Sequence, residues 1–234
     1  MANPFFQFKR FTVWHDRCAM KVGTDAVLLG AWMEVDGANR LLDVGCGCGL
    51  IALMAAQRCQ GEIVGIELDE EAAGQARENV ASSPWADRIR IVQEDFGTYH
   101  DEGKFDVIFS NPPYFSNSLK CPDNARSKAR HTDTLDFKTL MRQVKALLDP
   151  QGKFSVVIPM EASAELKAEA ISQSLYLSRE THVHTKPNAP AKRILMTFTP
   201  VMPETPAMPQ ALYMQQGPGV FSEEYKNMVN DFYL

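Results

Sequence analysis

Hydrophobic and polar residues follow two alternating periods along this chain. Apolar runs such as Leu41–Val44 and Phe105–Phe109 are typical of buried strands, whereas Asp136–Leu148 places its apolar residues on one helical face. The pattern predicts strands within 5–14 and at 41–44, 62–68, 88–93, 105–109, 153–158 and 194–198, the last being the final strand. It predicts helices at 24–33, 50–59, 69–82, 136–148 and 161–177, the first capped by Thr24 and Asp25.

The alternation of strands and helices predicts an α/β fold. Strands separated by helices form βαβ units, which give a mostly parallel sheet with helices on both faces. Ligands bind such sheets beyond the carboxyl ends of the strands. We expect residues 1–39 to form a short N-terminal extension packed on the ligand site, and residues 40–234 to form the main domain, with a substrate loop at 115–134.

Composition changes this picture little. With 234 residues, 45% of them hydrophobic, the chain is neither disordered nor a small disulfide scaffold. Its net charge of −5 means that nucleic acid would have to bind a local basic patch. There is no apolar run of about 20 residues and no signal-peptide pattern, and five cysteines without a CxxC favour reduced thiols. We therefore expect a cytoplasmic protein without membrane or metal, and favour a monomer.

A glycine loop follows the predicted strand at 41–44. In the run Asp43-Val44-Gly45-Cys46-Gly47-Cys48-Gly49, glycines at alternate positions let the backbone turn tightly and approach a ligand. Leu50 stands where a dinucleotide fingerprint needs Gly or Ala, which counts against a nicotinamide oxidoreductase. The acid followed by GxGxG resembles the cofactor loop of class I S-adenosylmethionine (AdoMet) methyltransferases. That resemblance implies AdoMet as cofactor, a Rossmann-like seven-stranded sheet, and contacts from Asp43, Gly45, Cys46, Gly47 and Gly49.

Acidic residues follow the next two predicted strands. Glu67, 22 residues after Gly45, can accept hydrogen bonds from both ribose hydroxyls, with Leu68 beside it, while Asp69 suits a helix cap. In the resembling fold, an acid at the position of Asp95 accepts from the adenine amino group, and the next residue, Phe96, supports the ring or a main-chain contact.

The motif Asn111-Pro112-Pro113-Tyr114 directly follows the strand at 105–109. Two prolines stiffen the turn, so that the Asn111 oxygen and a backbone carbonyl can both accept from one NH₂ group. Tyr114 offers a flat face for a planar substrate. These four residues are our predicted catalytic set. The motif resembles the NPPY of methyltransferases that act on adenine N6, cytosine N4, guanine N2 or the glutamine amide.

Basic residues lie in three clusters, each of which is either an RNA contact or a solvated face. The substrate loop holds Lys120, Arg126, Lys128 and Arg130; a second cluster is Lys186, Lys192 and Arg193; a third is Lys9, Arg10, Arg17 and Lys21. His182 and His184 lie two residues apart on a predicted strand. Histidines with ordinary hydrogen-bond partners on one face of the strand are favoured there over a metal-binding pair.

The whole chain resembles the family of bacterial tRNA adenine-N6 methyltransferases that modify the adenine beside the anticodon of a valine tRNA. The segments that carry the resemblance are His15–Asp25, LLDVGCGCGL, NPPY and Asp231–Leu234. It implies tRNA as partner and places Lys21 and Thr24 near the methionine end of AdoMet.

Other functions stay open at this point. Glutamine-amide protein methyltransferases share the motif, but the cofactor strand begins near residue 41, which leaves no room for the N-terminal domain of those that act on release factors. Methylation of an adenine or guanine in rRNA is a further alternative. A non-catalytic RNA-binding subunit is disfavoured by the intact motif at 111–114.

Overall fold

The computed structural model of the protein describes residues 3–113 and 135–233. The strands are β1 Phe5–Gln7, β2 Thr12–Trp14, β3 Arg40–Val44, β4 Glu62–Glu67, β5 Ile89–Gln93, β6 Phe105–Ser110, β7 Leu148–Pro159, β8 Tyr176–His184, β9 Ala191–Thr199, β10 Gln210–Tyr213, β11 Gln215–Gly217 and β12 Val220–Phe221. The helices are α1 Thr24–Trp32, α2 Leu50–Arg58, α3 Glu70–Ala81, α4 Phe137–Leu147, α5 Ser163–Ser172 and α6 Glu223–Val229, with a 3-10 turn at Met160–Ala162.

Eight strands form the central sheet, in the order β10-β8-β9-β7-β6-β3-β4-β5. The strands from β7 to β5 are parallel, and β9 is antiparallel to both β7 and β8. The predicted α/β class and mostly parallel sheet are confirmed, but the expected seven strands are one too few. The additional strand, β10, is only four residues long and pairs in parallel with β8 after a proline-rich stretch, so its sequence pattern is too short to recognise. The strand predicted at 194–198 is therefore not the final one, because β10 and the short strands β11 and β12 follow it.

Helices cover both faces of the sheet. Leu41 packs in one core cluster with α1, α2 and α3, and its neighbour Leu42 packs in the other with α4 and α5. Both side chains are fully buried, because a parallel sheet covered on two sides buries successive residues. Among the described residues, no helix is long and apolar enough to cross a membrane.

Two predicted helix ends are wrong. Helix α1 has Gly23 at its N-cap without a side-chain cap, and Asp25 instead accepts a hydrogen bond from Arg193 Nε at 2.7 Å. The helix predicted over 161–177 ends at Ser172. Ser174 then adopts a left-handed φ of 53°, and β8 begins at Tyr176. Local periodicity missed this turn because apolar residues continue into the strand.

The C-terminal tail packs against the N-terminal hairpin. Phe232 is buried at 2% exposure, and its carbonyl accepts a hydrogen bond from Lys9 N at 2.8 Å. Phe8 stacks on Phe11 with ring centroids 4.7 Å apart, and Tyr233 lies parallel to Phe8 at 6.0 Å. The two ends of the chain therefore share one part of the core.

We predict that Phe232→Ala lowers the free energy of unfolding by about 3 kcal/mol, because it opens a cavity between the hairpin and the tail. Urea unfolding measures the change. The matched control is Phe221→Ala: Phe221 is 46% exposed, so its removal should cost less than about 1 kcal/mol. Equal losses in the two variants would contradict this packing.

Candidate active site

The carboxyl ends of β3, β4 and β6 meet at one edge of the sheet. Val44 pairs with Ile66 on one side and with Ser110 on the other. The Ser110 hydroxyl donates to the carbonyl of Val44 at 2.9 Å, which links the turn after β6 to the start of the glycine loop. With strands about 4.8 Å apart, the loop, Glu67 and Asn111 lie around one short stretch of this edge.

The glycine loop needs its glycines for the backbone conformation. Gly45, Gly47 and Gly49 have φ values of 68°, 53° and 81°, which side chains with a Cβ rarely adopt. Nothing lies within 4 Å of the position that a Cβ would take at Gly45 or Gly47. The loop is thus sharply turned, and it offers bare backbone to a ligand.

Glu67 holds the loop in place. Its carboxylate accepts hydrogen bonds from Gly47 N at 2.8 Å and from Asp69 N at 3.0 Å. A carboxylate has about four acceptor positions, so further donors can still bind. Leu68 beside it is 49% exposed, and Asp69 caps α3 by accepting from Ala72 N at 2.8 Å, as predicted.

Asp43 is a completely buried acid beneath the start of α2. One oxygen accepts from Ala52 N at 3.0 Å, while the other, Oδ1, has no hydrogen-bond partner among the described residues. The pKa of the Asp43 carboxyl is raised from its ordinary value to about 8, chiefly by burial, with a contribution from the nearby charge of Glu67 and in opposition to the hydrogen bond from Ala52 N. The unsatisfied oxygen suits a hydrogen-bond donor or a cationic group at the loop.

Asp95 and Phe96 follow β5, one strand beyond Glu67. The Asp95 carboxylate is exposed and accepts from Gly97 N at 2.7 Å. The Phe96 ring is buried in the core, and its carbonyl accepts from Gln143 Nε2 at 3.0 Å. A contact from Phe96 to a cofactor would therefore use its main chain and not its ring.

The described part of the predicted catalytic motif ends at Pro113. Asn111 is half-buried, Pro112 is buried and Pro113 is exposed, immediately after β6. Tyr114 and the substrate loop at 115–134 lie outside the described residues, and so do its predicted RNA contacts Lys120, Arg126, Lys128 and Arg130.

Two buried polar residues of α3, which sequence reasoning missed, bind the N-terminal segment, and one of them, Asn79, also binds the glycine loop. Asn79 Nδ2 donates to the carbonyls of Trp14 at 2.8 Å and Cys48 at 2.9 Å. Gln75 accepts from Arg17 N at 3.1 Å and from the Cys18 thiol at 3.2 Å. Their signal in the sequence is a pair of amide side chains four residues apart, on a helix face whose other buried residues are mostly alanines.

The segment of residues 15–25 is also fixed by its histidine. Val22 N donates to His15 Nδ1 at 3.3 Å, so Nε2 carries the proton and donates to the Asn3 carbonyl at 3.0 Å. Lys21 and Thr24 are exposed on the same segment.

Cys46 and Cys48 are buried free thiols inside the loop. Burial raises the pKa of the Cys46 thiol, so it stays protonated and unreactive. Among the described residues, no group of three potential metal ligands comes together. His182 instead contacts Glu180 at 2.5 Å, and His184 contacts the Ala189 carbonyl at 2.7 Å.

The two predicted RNA contacts on β9 differ in their surroundings. Arg193 is half-buried, lies opposite Pro159 at the end of β7 and donates to Asp25, so it links β9 to α1. Lys192 is exposed at the same edge of the sheet.

We predict that Asp43 makes folding less favourable as the pH rises. Between its ordinary value near 3.8 and its folded value of about 8, the folded chain binds the extra proton, so the free energy of unfolding falls with increasing pH. The variant Asp43→Asn cannot titrate there. Its unfolding free energy, minus that of the wild type, should rise from pH 5 to pH 8 in urea titrations, whereas Asp87→Asn, at an exposed site, should show no such trend. A flat difference for Asp43→Asn would contradict a buried, protonated carboxyl.

The known proteins that this chain resembles are methyltransferases. Residues 18–182 match the family model "Methyltransferase small domain". A relative from Bacteroides thetaiotaomicron, named tRNA1(Val) (adenine(37)-N6)-methyltransferase, is 52% identical and covers 100% of this chain and 99% of its own. One of the same name from Yersinia enterocolitica is 44% identical over 98% of this chain and 92% of its own.

Solved structures share the fold. A predicted O-methyltransferase from Agrobacterium tumefaciens aligns with a TM-score of 0.71 at 23% identity, over 89% of this chain and 96% of that one. A glycopeptide N-methyltransferase complexed with AdoMet aligns at 0.53 and 15% identity, over 70% of this chain and 87% of that one. The chain belongs to the methyltransferase small domain family and, within it, to the group that includes the tRNA1(Val) (adenine(37)-N6)-methyltransferases.

Proposed function

We propose that the protein transfers a methyl group from AdoMet to the exocyclic N6 of an adenine in the anticodon loop of a tRNA. The observation that carries the proposal is the convergence, at the ends of three adjacent strands, of the glycine loop, Glu67 and the Asn111–Pro113 turn. The relatives at up to 52% identity over the full chain carry a name that specifies valine tRNA and adenine 37, which supports the same substrate here.

The residues at this edge suit AdoMet. Glu67 has acceptor positions left for two ribose hydroxyls, and Leu68 offers an exposed apolar side chain beside them for the adenine. Asp43 Oδ1 has no hydrogen-bond partner among the described residues, and the ammonium of AdoMet would supply a donor that favours the ionised carboxylate. We assign adenine recognition to Asp95 and the main chain of Phe96, and contacts near the methionine end to Lys21, Thr24, Gly45, Cys46, Gly47 and Gly49.

Residues 1–39 complete this site in our proposal. Asn79 joins the carbonyls of Trp14 and Cys48, so the N-terminal segment and the cofactor loop are held by one side chain. This contact supports an extension that packs on the cofactor site, next to a methyltransferase domain of residues 40–234.

The proposed methyl transfer needs little acid–base catalysis. AdoMet, when bound, supplies a methyl group on a sulfonium that is already a good leaving group. Asn111 and a neighbouring carbonyl accept from the two N–H groups of the amine and turn the nitrogen lone pair toward the methyl carbon. With AdoMet bound, the N–C bond would form as the C–S bond breaks, and the nitrogen would then lose a proton to solvent. Tyr114 holds the adenine ring by stacking, and positioning of this kind is worth several kcal/mol.

A base must leave its stack to enter such a site. Extrusion costs least from a single-stranded loop, which favours an anticodon loop over a duplex. The basic residues of the substrate loop, together with Lys192 and Arg193, are our candidates for phosphate contacts. A tRNA substrate also favours a cytoplasmic location.

We predict that Asn111→Ala lowers kcat by a hundredfold or more, because the amine loses an acceptor that orients it, an effect of about the size seen for other positioned polar groups. AdoMet binding should largely survive. The assay is transfer of labelled methyl to bulk tRNA, with nucleoside analysis for N6-methyladenosine. Asn111→Asp keeps an acceptor oxygen and should retain more activity than Asn111→Ala. Wild-type turnover in Asn111→Ala would refute the assignment, and label found only in a release factor would favour the glutamine-amide alternative.

We predict that Glu67→Ala weakens AdoMet binding by about tenfold to a hundredfold, since charged hydrogen bonds of this kind contribute about 1.5–3 kcal/mol. Calorimetric titration with AdoMet measures the loss. Glu67→Gln keeps acceptor capacity for Gly47 N and should bind better than Glu67→Ala. Glu94→Ala, at the exposed residue next to Asp95, serves as the control for removal of a nearby charge. Unchanged affinity in Glu67→Ala would remove Glu67 from the cofactor site.

A further inference from the structure

A small aromatic and basic surface lies at the far end of the same sheet edge. Strands β8 and β10 end there side by side, with His184 paired to Tyr213, and β9 begins there. We define the His184–Tyr213 surface as these two residues together with Lys186 and Lys192. Four strand spacings separate β10 from β6 in the sheet order, and Tyr213 lies three residues beyond the level of Asn111, which together place Tyr213 about 22 Å from the Asn111 turn.

The two rings point away from the α1 side of the core. Val183 and Leu212, the residues just before them, are buried in the cluster that contains α1. Successive strand residues face opposite sides, so His184 and Tyr213 share the other face. Their rings stack with centroids 4.9 Å apart and planes 30° apart, and Tyr213 is still 38% exposed. An aromatic ring held in this way can stack on a further flat group.

The surface is held in place by its backbone. Met214 N donates to the His184 carbonyl at 2.9 Å, and Gln215 N donates to the Thr185 carbonyl at 3.1 Å. Because the Ala189 carbonyl can only accept, His184 Nδ1 carries the proton in the 2.7 Å contact between them. The position of the Tyr213 ring is therefore set before any ligand binds.

The charge of this surface is positive. Lys186 lies in the β8–β9 turn and Lys192 at the start of β9, where the register shifts, and both are exposed. Neither residues 185–192 nor residues 205–222 contain an acidic residue, although the chain as a whole has a net charge of −5. An exposed ring flanked by two lysines offers one stacking position and two phosphate positions.

We propose that the His184–Tyr213 surface binds a single-stranded part of the RNA substrate beside the target adenine, with Tyr213 stacking on an unpaired base and Lys186 and Lys192 contacting phosphates. This inference rests on the proposed function, which supplies the RNA. The exposed ring favours single-stranded RNA over a duplex, whose bases are already stacked.

The test is equilibrium binding of a fluorescein-labelled anticodon stem-loop of valine tRNA, measured across a salt series with S-adenosylhomocysteine present. Tyr213→Ala should weaken RNA binding about tenfold, which is within the range for loss of one base–aromatic stack. Tyr213→Phe keeps the aromatic ring and should bind RNA as the wild type does. Lys186→Ala and Lys192→Ala should each reduce the magnitude of the negative slope of log K against log salt by about 0.7–0.9. Lys104→Ala removes a lysine just before β6, at the opposite edge of the sheet, and should leave the slope unchanged.

Each outcome decides the proposal. If Tyr213→Ala binds RNA with wild-type affinity, or if the wild type binds no RNA, the proposal that this surface binds RNA is wrong. Weaker binding in Tyr213→Ala with restoration in Tyr213→Phe supports it, even if the wild type methylates no tRNA, in which case the proposed function fails alone. If Tyr213→Ala shows a lowered thermal midpoint, Tyr213→Leu takes its place, because leucine keeps the apolar bulk without the stacking face. Wild-type affinity in Tyr213→Leu also overturns the surface.

Discussion

The parallel pairing of β3 with both β4 and β6 is the constraint on which the site depends. A slip of one residue would turn every side chain of β3 to the opposite face. Burial on both faces prevents this, because Leu41 and Leu42 are each packed in a different core cluster. The same register brings Val44, Ile66 and Ser110 level with one another. The glycine loop, Glu67 and the Asn111 turn, which follow these residues, therefore begin at one edge of the sheet.

Hydrogen bonds then hold these segments to one another. Ser110 donates to the Val44 carbonyl, and Glu67 accepts from Gly47 N, so the turn of Asn111, the loop and the acid form one connected unit. Glu67 thus has a structural role as well as the proposed role in ribose binding. Asn79 extends the unit to the N-terminal segment through Cys48. Hydrogen bonds therefore connect all the segments on the side of the site where we propose that the cofactor binds.

The sequence predicted most of the fold, and the failed predictions have two causes. The glycine loop, Glu67 and the Asn111 motif were recognisable because each follows an apolar strand directly, and the sheet class followed from their alternation with helices. The cap of α1 and the end of α5 were wrong because distant partners or a single left-handed residue decide them. The contacts of Gln75 and Asn79, and the strand β10, depend on segments more than 20 residues away in the chain, which periodicity does not report.

The central claim is that a methyl donor bound over the glycine loop lies within reach of an amine held by Asn111. A crystal structure of the protein with S-adenosylhomocysteine tests it most directly. We expect the ribose hydroxyls on the Glu67 carboxylate and the sulfur facing the Asn111 side chain. A ligand bound elsewhere, or an Asn111 side chain turned away from the sulfur, would contradict it.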